Sequence, residues 1–210
     1  MVLKYIIVLE GPDGVGKTTQ GKMLVNYLTT LGVTSELVKA RVKPKNCYTF
    51  ITEIENAYVE TTEKFPKWLK STLMAYERAK QIYDIINNST ADVLIFDKYI
   101  YSTPLYLDYK GIDKEFAWKI LRWLPNPDLV VFFDLDATVC MERIIARGEK
   151  IGNNENIPFL SLLIEKMPAI IESFGVPLKK INAAQESDVI FSELKSSINK
   201  LLGCEGIDKM

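Results

Sequence analysis

The stretch that most limits how this chain can fold is LEGPDGVGKTTQ, residues 9–20, which follows the apolar run Tyr5-Ile6-Ile7-Val8 without a break. A continuous apolar run is the pattern of a strand covered on both faces. An ordinary strand-to-helix turn needs one glycine at most, yet Gly11, Gly14 and Gly16 all fall in this one. Gly11 through Thr18 fits the spacing G-x-x-x-x-G-K-[ST]. From Lys17 onward the apolar positions Leu24, Tyr27, Leu28 and Leu31 have helical spacing, and Gly32 supplies a stop. Strand, glycine turn, amphipathic helix is the context this motif requires. Its physics is direct: glycines let successive backbone N–H groups turn inward around an anion, and the helix adds its positive end. Lys17 reaches terminal phosphates, and Thr18 offers a hydroxyl to Mg²⁺.

Bulk properties remove several classes. The 210 residues suffice for one sizeable domain, with 48% hydrophobic and 25% charged residues, as in a soluble globular protein. The formal net charge of −1 argues against a nucleic-acid or membrane-surface protein, which would need a basic excess. No apolar stretch approaches the ~20 residues of a membrane span, and the N-terminus lacks a signal-peptide pattern. Cys47, Cys140 and Cys204 have no metal-ligand spacing and read as reduced thiols of a cytoplasmic protein. Histidine is absent (His 0), so Ser-His-Asp, Cys-His and His-zinc chemistry are excluded. Catalysis must use carboxylates, amines, guanidiniums, backbone amides or a metal held by oxygen.

Strand-like and helical segments alternate. Strands are expected at Lys4–Leu9, Ser35–Ala40, Asp92–Asp97 and Asp128–Leu135, with a short fifth at Leu178–Asn182. A long helix follows Pro66, and others are expected at Lys114–Leu124, Thr138–Arg147, Phe159–Phe174 and Asp188–Leu202. Strict alternation implies an α/β fold: a mostly parallel five-stranded sheet with helices on both faces, in three layers. Two stretches are irregular, Val42–Cys47 and Gly148–Pro158; the second reads equally as a lid or a surface loop.

A phosphate loop is usually joined by an acid at the end of another strand, to hold Mg²⁺ directly or through water. Asp97 closes the run LIFDK, and Asp134 and Asp136 compete from the next strand. Asp136 suits a helix cap before Thr138, so Asp97 is preferred. On the long helix, Met74 and Arg78 share a face with Ser71 and Gln81 and are candidates for an acceptor pocket. Taken alone, such a methionine is more often core and such an arginine more often solvated.

Four segments together resemble the thymidylate kinase family, enzymes that phosphorylate dTMP with ATP. They are EGPDGVGKTTQ, DKYIYSTPLYL, LPNPDLVVFFDLDATVCMERIIARGE and PLKKINAAQ, in the family's order and spanning about Lys4 to Ile198. The resemblance implies a phosphate-loop kinase, one domain over residues 1–210 with a short lid at about 147–160. It implies that Gly11, Gly14, Val15, Gly16, Lys17, Thr18 and Thr19 surround the ATP phosphates, with Arg143 and Ala184 near the adenine. Thr18 and Asp97 would hold Mg²⁺, and Asp13 would accept from the deoxyribose 3′-hydroxyl. Lys98, Tyr99, Ser102 and Tyr106 would line the dTMP site, with Tyr106 beside the sugar. Met74 falls where the family stacks a phenylalanine on thymine, and Arg78 where an arginine bonds the base. Lys39 or Arg41 would hold the monophosphate. A homodimer is implied as well.

The chain departs from the family in three places. Lys98 replaces the arginine of the family's Asp-Arg-Tyr, exchanging a planar fork for a point charge. Met74 replaces an aromatic ring with a softer thioether. The segment after Gly148 has no arginine, leaving Arg147 or Lys150 as the lid cation; the catalytic set is then Lys17, Lys98 and Arg147. Two other readings stay open: a deoxynucleoside kinase, and a nucleotide-binding relative without catalysis.

Overall fold

The computed structural model describes residues 4–39, 53, 56, 66–148, 151–152 and 155–204. Arg41, Lys150, the stretch 42–47 and parts of 147–160 lie wholly or partly outside these. The described chain divides into two compact units. One holds residues up to Val38, Ala91–Tyr101 and the chain from Asn126; the other holds Lys39–Thr90 and Ser102–Pro125.

The first unit carries the sheet. Its strands are β1 (Tyr5–Glu10), β2 (Ser35–Lys39), β3 (Val93–Asp97), β4 (Leu129–Asp134) and β5 (Leu178–Asn182), in the order β2-β3-β1-β4-β5. β1 pairs in parallel with β3 (Ile7 opposite Ile95) and with β4 (Leu9 opposite Val131), and β4 pairs in parallel with β5. The central strands are apolar at every position before the closing carboxylates Glu10, Asp97 and Asp134, because both their faces are covered, which is why they read as runs and not as alternation. Ile7, Val8 and Leu9 are each 0% exposed, and burying one such side chain contributes about 1.5–3 kcal/mol.

Strand alternation sorts these side chains onto two faces. Ile7, Leu9, Val93, Ile95, Val131 and Phe133 join Leu24 and Leu28 of α1 (Lys17–Thr30) in one core. Ile190, Leu194 and Ile198 of α7 (Ser187–Leu202) complete it. On the opposite face, Phe96 begins a chain of ring contacts that runs through Tyr99 and Tyr101 to Phe174. Phe174 lies just past α6 (Ile157–Glu172). The remaining helix of this unit, α5 (Ala137–Ala146), starts at Asp136, whose carboxylate accepts from the Thr138 amide at 2.8 Å. The cap expected of Asp136 is therefore present.

The described part of the second unit includes three helices, α2 (Lys67–Asn88), α3 (Ser102–Tyr109) and α4 (Glu115–Leu121). Helix α2 packs on α4, with the Trp68 and Phe116 rings 5.9 Å apart. Helix α3 was not anticipated as a helix. Its Pro104 sits in the first turn, where a missing N–H costs nothing, so the proline does not break it.

The candidate phosphate-loop site

The turn from β1 into α1 is built from glycines in conformations that a side chain resists. Gly11, Gly14 and Gly16 have φ of 136°, 85° and 102°. At two of them space is also closed: a Cβ on Gly11 would lie 2.6 Å from the Phe133 carbonyl oxygen, and one on Gly14 would lie 2.4 Å from that of Cys140. The loop is thus pressed against the end of β4 and the middle of α5. Gly16 caps α1 without a side chain, and the first turn contains no acidic residue, so the positive end of the helix is not neutralised from within.

Lys17 is 5% exposed, and its Nζ donates to the carbonyl oxygens of Gly11 (2.9 Å) and Pro12 (2.6 Å). Burial, and next the like charge of Lys98, bring its pKa down from 10.5 to about 8, opposed by Asp13, Asp97 and Glu10. An ammonium so poorly solvated has most to gain from a polyanion. One residue on, the Thr18 hydroxyl donates to the Asp97 carboxylate at the end of β3. A hydroxyl and a carboxylate side by side suit a small hard cation whose other ligands are phosphate oxygens and water. Among the described residues no cluster of three or more His, Cys, Asp or Glu could hold a metal unaided. Asp134 is exposed at the end of β4.

Lys98 follows Asp97 and forms an ion pair with Asp13 across the loop, Nζ to Oδ1 2.8 Å, with side chains 11% and 17% exposed. Sequence reasoning had both residues in the site but missed their pairing. It also missed that Lys98 adopts φ 70°, alone among the described non-glycine residues. No local signal marks this, since lysine is not a turn former. The Tyr99 amide donates to Glu10 Oε1 at 2.8 Å, another contact unforeseen in the sequence.

Farther along, Arg143 on α5 reaches the Ala183 carbonyl oxygen at 3.5 Å, while Ala184 is exposed and its N–H donates to Asn182 Oδ1. Arg147, just after α5, pairs with Glu155 at 3.1 Å. Val15 is buried and Thr19 exposed; Lys39 is exposed at the end of β2. The structure brings together Gly11 to Thr19, Asp97, Lys98 and Tyr99. The second unit carries Met74, exposed on α2, with Arg78 one turn on, and Ser102 and Tyr106, both half-buried, one turn apart on α3.

A parallel sheet whose central strand leads through a glycine loop into a buried lysine defines the class of phosphate-loop nucleotide-binding proteins. Within that class, the family model described as thymidylate kinase matches residues 9–194. A probable thymidylate kinase of Methanosphaera stadtmanae is 31% identical over 199 residues, covering 93% of this chain and 98% of that protein. Thymidylate kinases of Desulfotalea psychrophila and Brachyspira hyodysenteriae are 29% and 28% identical over 201 and 206 residues, with 93% or more of each chain covered. The chain belongs to the thymidylate kinase family. The resemblance read from its four segments, and the parallel α/β fold expected with it, are borne out.

Proposed function

We propose that the protein transfers the γ-phosphoryl group of ATP to the phosphate of dTMP, giving dTDP and ADP. Membership of the family carries this reading, and the geometry of the loop supports it. The acceptor oxygen is already anionic near neutral pH, so no general base is needed, and a chain without histidine meets the chemistry. What it must supply is placement and neutralisation of charge. Lys17 and the N-terminal amides of α1 face the donor phosphates. Lys98 offers a second cation beside Asp13. Arg147 is the lid cation, and closure of the segment at about 147–160 excludes water from the transfer. Thr18 and Asp97 would hold Mg²⁺, which would supply further neutralisation of the phosphate charge.

For the acceptor, Asp13 takes the 3′-hydroxyl, Met74 covers the base, Arg78 bonds it, and Ser102 and Tyr106 line the sugar side. Lys39 or Arg41 holds the monophosphate. A nucleoside kinase would instead need a carboxylate to accept the proton of a hydroxyl acceptor. Glu10 and Asp13 are the two candidates for that role: Glu10 is 0% exposed with an oxygen on the Tyr99 amide, and Asp13 is paired with the Lys98 ammonium. The reading includes a single kinase domain, a homodimer and a cytoplasmic location. Free thiols at Cys140 and Cys204 agree with that location, and no helix among the described residues is long and apolar enough to cross a membrane.

The test is Mg²⁺-dependent ADP formation with dTMP, dUMP, thymidine and no acceptor, run side by side. Turnover with dTMP well above the rate without acceptor is expected. Turnover with thymidine alone would move the assignment to a nucleoside kinase, and none with any acceptor would leave a binding protein.

A further inference from the structure

Glu10 is the last residue of β1 and is wholly buried. A carboxylate removed from water is costly unless it is hydrogen-bonded, so its position calls for a reason. Alternation along β1 sets Glu10 on the face of Ile6 and Val8, opposite the α1 core. There its Oε1 accepts from the Tyr99 amide, at the point where β3 stops.

The ladder between β1 and β3 continues one residue past Asp97, because Lys98 N–H donates to the Leu9 carbonyl oxygen at 3.0 Å. Lys98 then takes φ 70°, a conformation its Cβ opposes. After this turn the Tyr99 amide meets the Glu10 carboxylate in place of a main-chain partner on β1. The Tyr99 ring is wedged between Phe96 and Tyr101, with centroids 5.2 and 6.3 Å away, so backbone and ring are both held. From this fixed turn the Lys98 side chain reaches the phosphate loop, its ammonium 2.8 Å from Asp13.

We propose that Glu10 is a positioning residue: by holding the Tyr99 amide it fixes Lys98 in its left-handed turn and aims the Lys98 ammonium at Asp13 and the phosphate loop. The inference deepens the phosphoryl-transfer reading and rests on it. Glu10 touches no reacting atom and acts through Lys98. The same buried charge bears on its neighbours: it partly offsets the loss of proton affinity at Lys17 and adds to the upward push that burial gives the Tyr101 hydroxyl.

A double-mutant cycle on the full chain tests it, with kcat, the KM for each substrate and the unfolding midpoint measured for E10Q, E10A, K98A and the pairs. E10Q keeps an acceptor for Tyr99, and its kcat should stay within about 3-fold of wild type. E10A removes the acceptor, and kcat should fall about 10²-fold, as for a misplaced catalytic group, while the KM for ATP changes little. Since Glu10 works through Lys98, E10A added to K98A should cost no further activity. An equal loss in both backgrounds would overturn the proposal, and so would a lowered unfolding midpoint with kcat unchanged. If E10A does not fold, Glu10→Asp, which withdraws the carboxylate by one methylene, replaces it under the same criterion. Wild-type turnover with dTMP checks the underlying reading separately. Without it, the cycle is read on ADP formation without acceptor.

Discussion

Lys17 and Arg147, both in the sheet-bearing unit, are cations held in opposite ways. Lys17 is 5% exposed, bonded to two backbone carbonyls, and sits where burial works against its charge. Arg147 follows α5 with its side chain 45% exposed, paired with the carboxylate of Glu155, whose own side chain is 11% exposed. A buried ammonium is fixed in place and poorly solvated, so a phosphate replaces solvation it lacks. An exposed guanidinium keeps its water, can swing, and gains little from its partner. One is suited to wait for a substrate, the other to arrive with it.

The sharpest way to break that contrast is Lys17→Met. We expect kcat/KM for ATP to fall about 10³-fold, the upper range for losing one preorganised donor, with no loss of thermal stability because a disfavoured charge leaves the interior. A loss under tenfold would place the main electrostatic work elsewhere. Rigidity of the loop is next. Gly14→Ala sets a Cβ 2.4 Å from the Cys140 carbonyl oxygen at φ 85° and should lower unfolding free energy by about 3 kcal/mol. Gly16→Ala, at φ 102° with nothing within 4 Å, should cost only about 1–2 kcal/mol. Equal denaturation midpoints for the two would show that the loop yields.

Arg147→Ala should reduce kcat about 10²-fold while leaving the unfolding midpoint almost unchanged, the reverse of the glycine substitution. If kcat holds, Lys150 becomes the lid cation. A pH series sharpens the Lys17 side. With its pKa at about 8, kcat/KM for ATP should decline above that pH, by about tenfold per unit. ATP binding should take up a proton at pH 8.5 and none at pH 7, read by calorimetry in buffers of different ionisation enthalpy. The stability effect has the opposite sign. The folded value lies below the ordinary 10.5, so between the two the unfolded chain binds the extra proton and stability rises with pH. Tyr101, pushed up by burial, reverses the trend above about pH 10, where unfolded tyrosine ionises. Smallest of all, Glu155→Gln removes the charge facing Arg147 but keeps an oxygen for the Gly152 amide, and should change stability by no more than about 1 kcal/mol.

Much of this was legible because the physics is local. The runs at β1, β3 and β4 announce strands buried on both faces, and the boundaries read from them fall within two residues of those observed. Asp136 announces its own cap. Helix α3 was not legible, because Ser-Thr-Pro resembles a turn until its proline is known to occupy a first helical turn. Met74 and Arg78 were found by helical spacing, yet spacing alone cannot tell a base-binding face from an ordinary exposed one.

Residue order alone was enough for the alternating α/β elements, the glycine loop after the first strand, and the exclusion of histidine chemistry. Each depends on residue type and spacing within a few turns of chain. The folded chain was needed to see that Lys98 turns left-handed, that its ammonium meets Asp13, and that the Glu10 carboxylate takes the Tyr99 amide. These depend on the parallel pairing of β1 with β3, which joins residues far apart in the chain and leaves no trace in the local pattern of either segment.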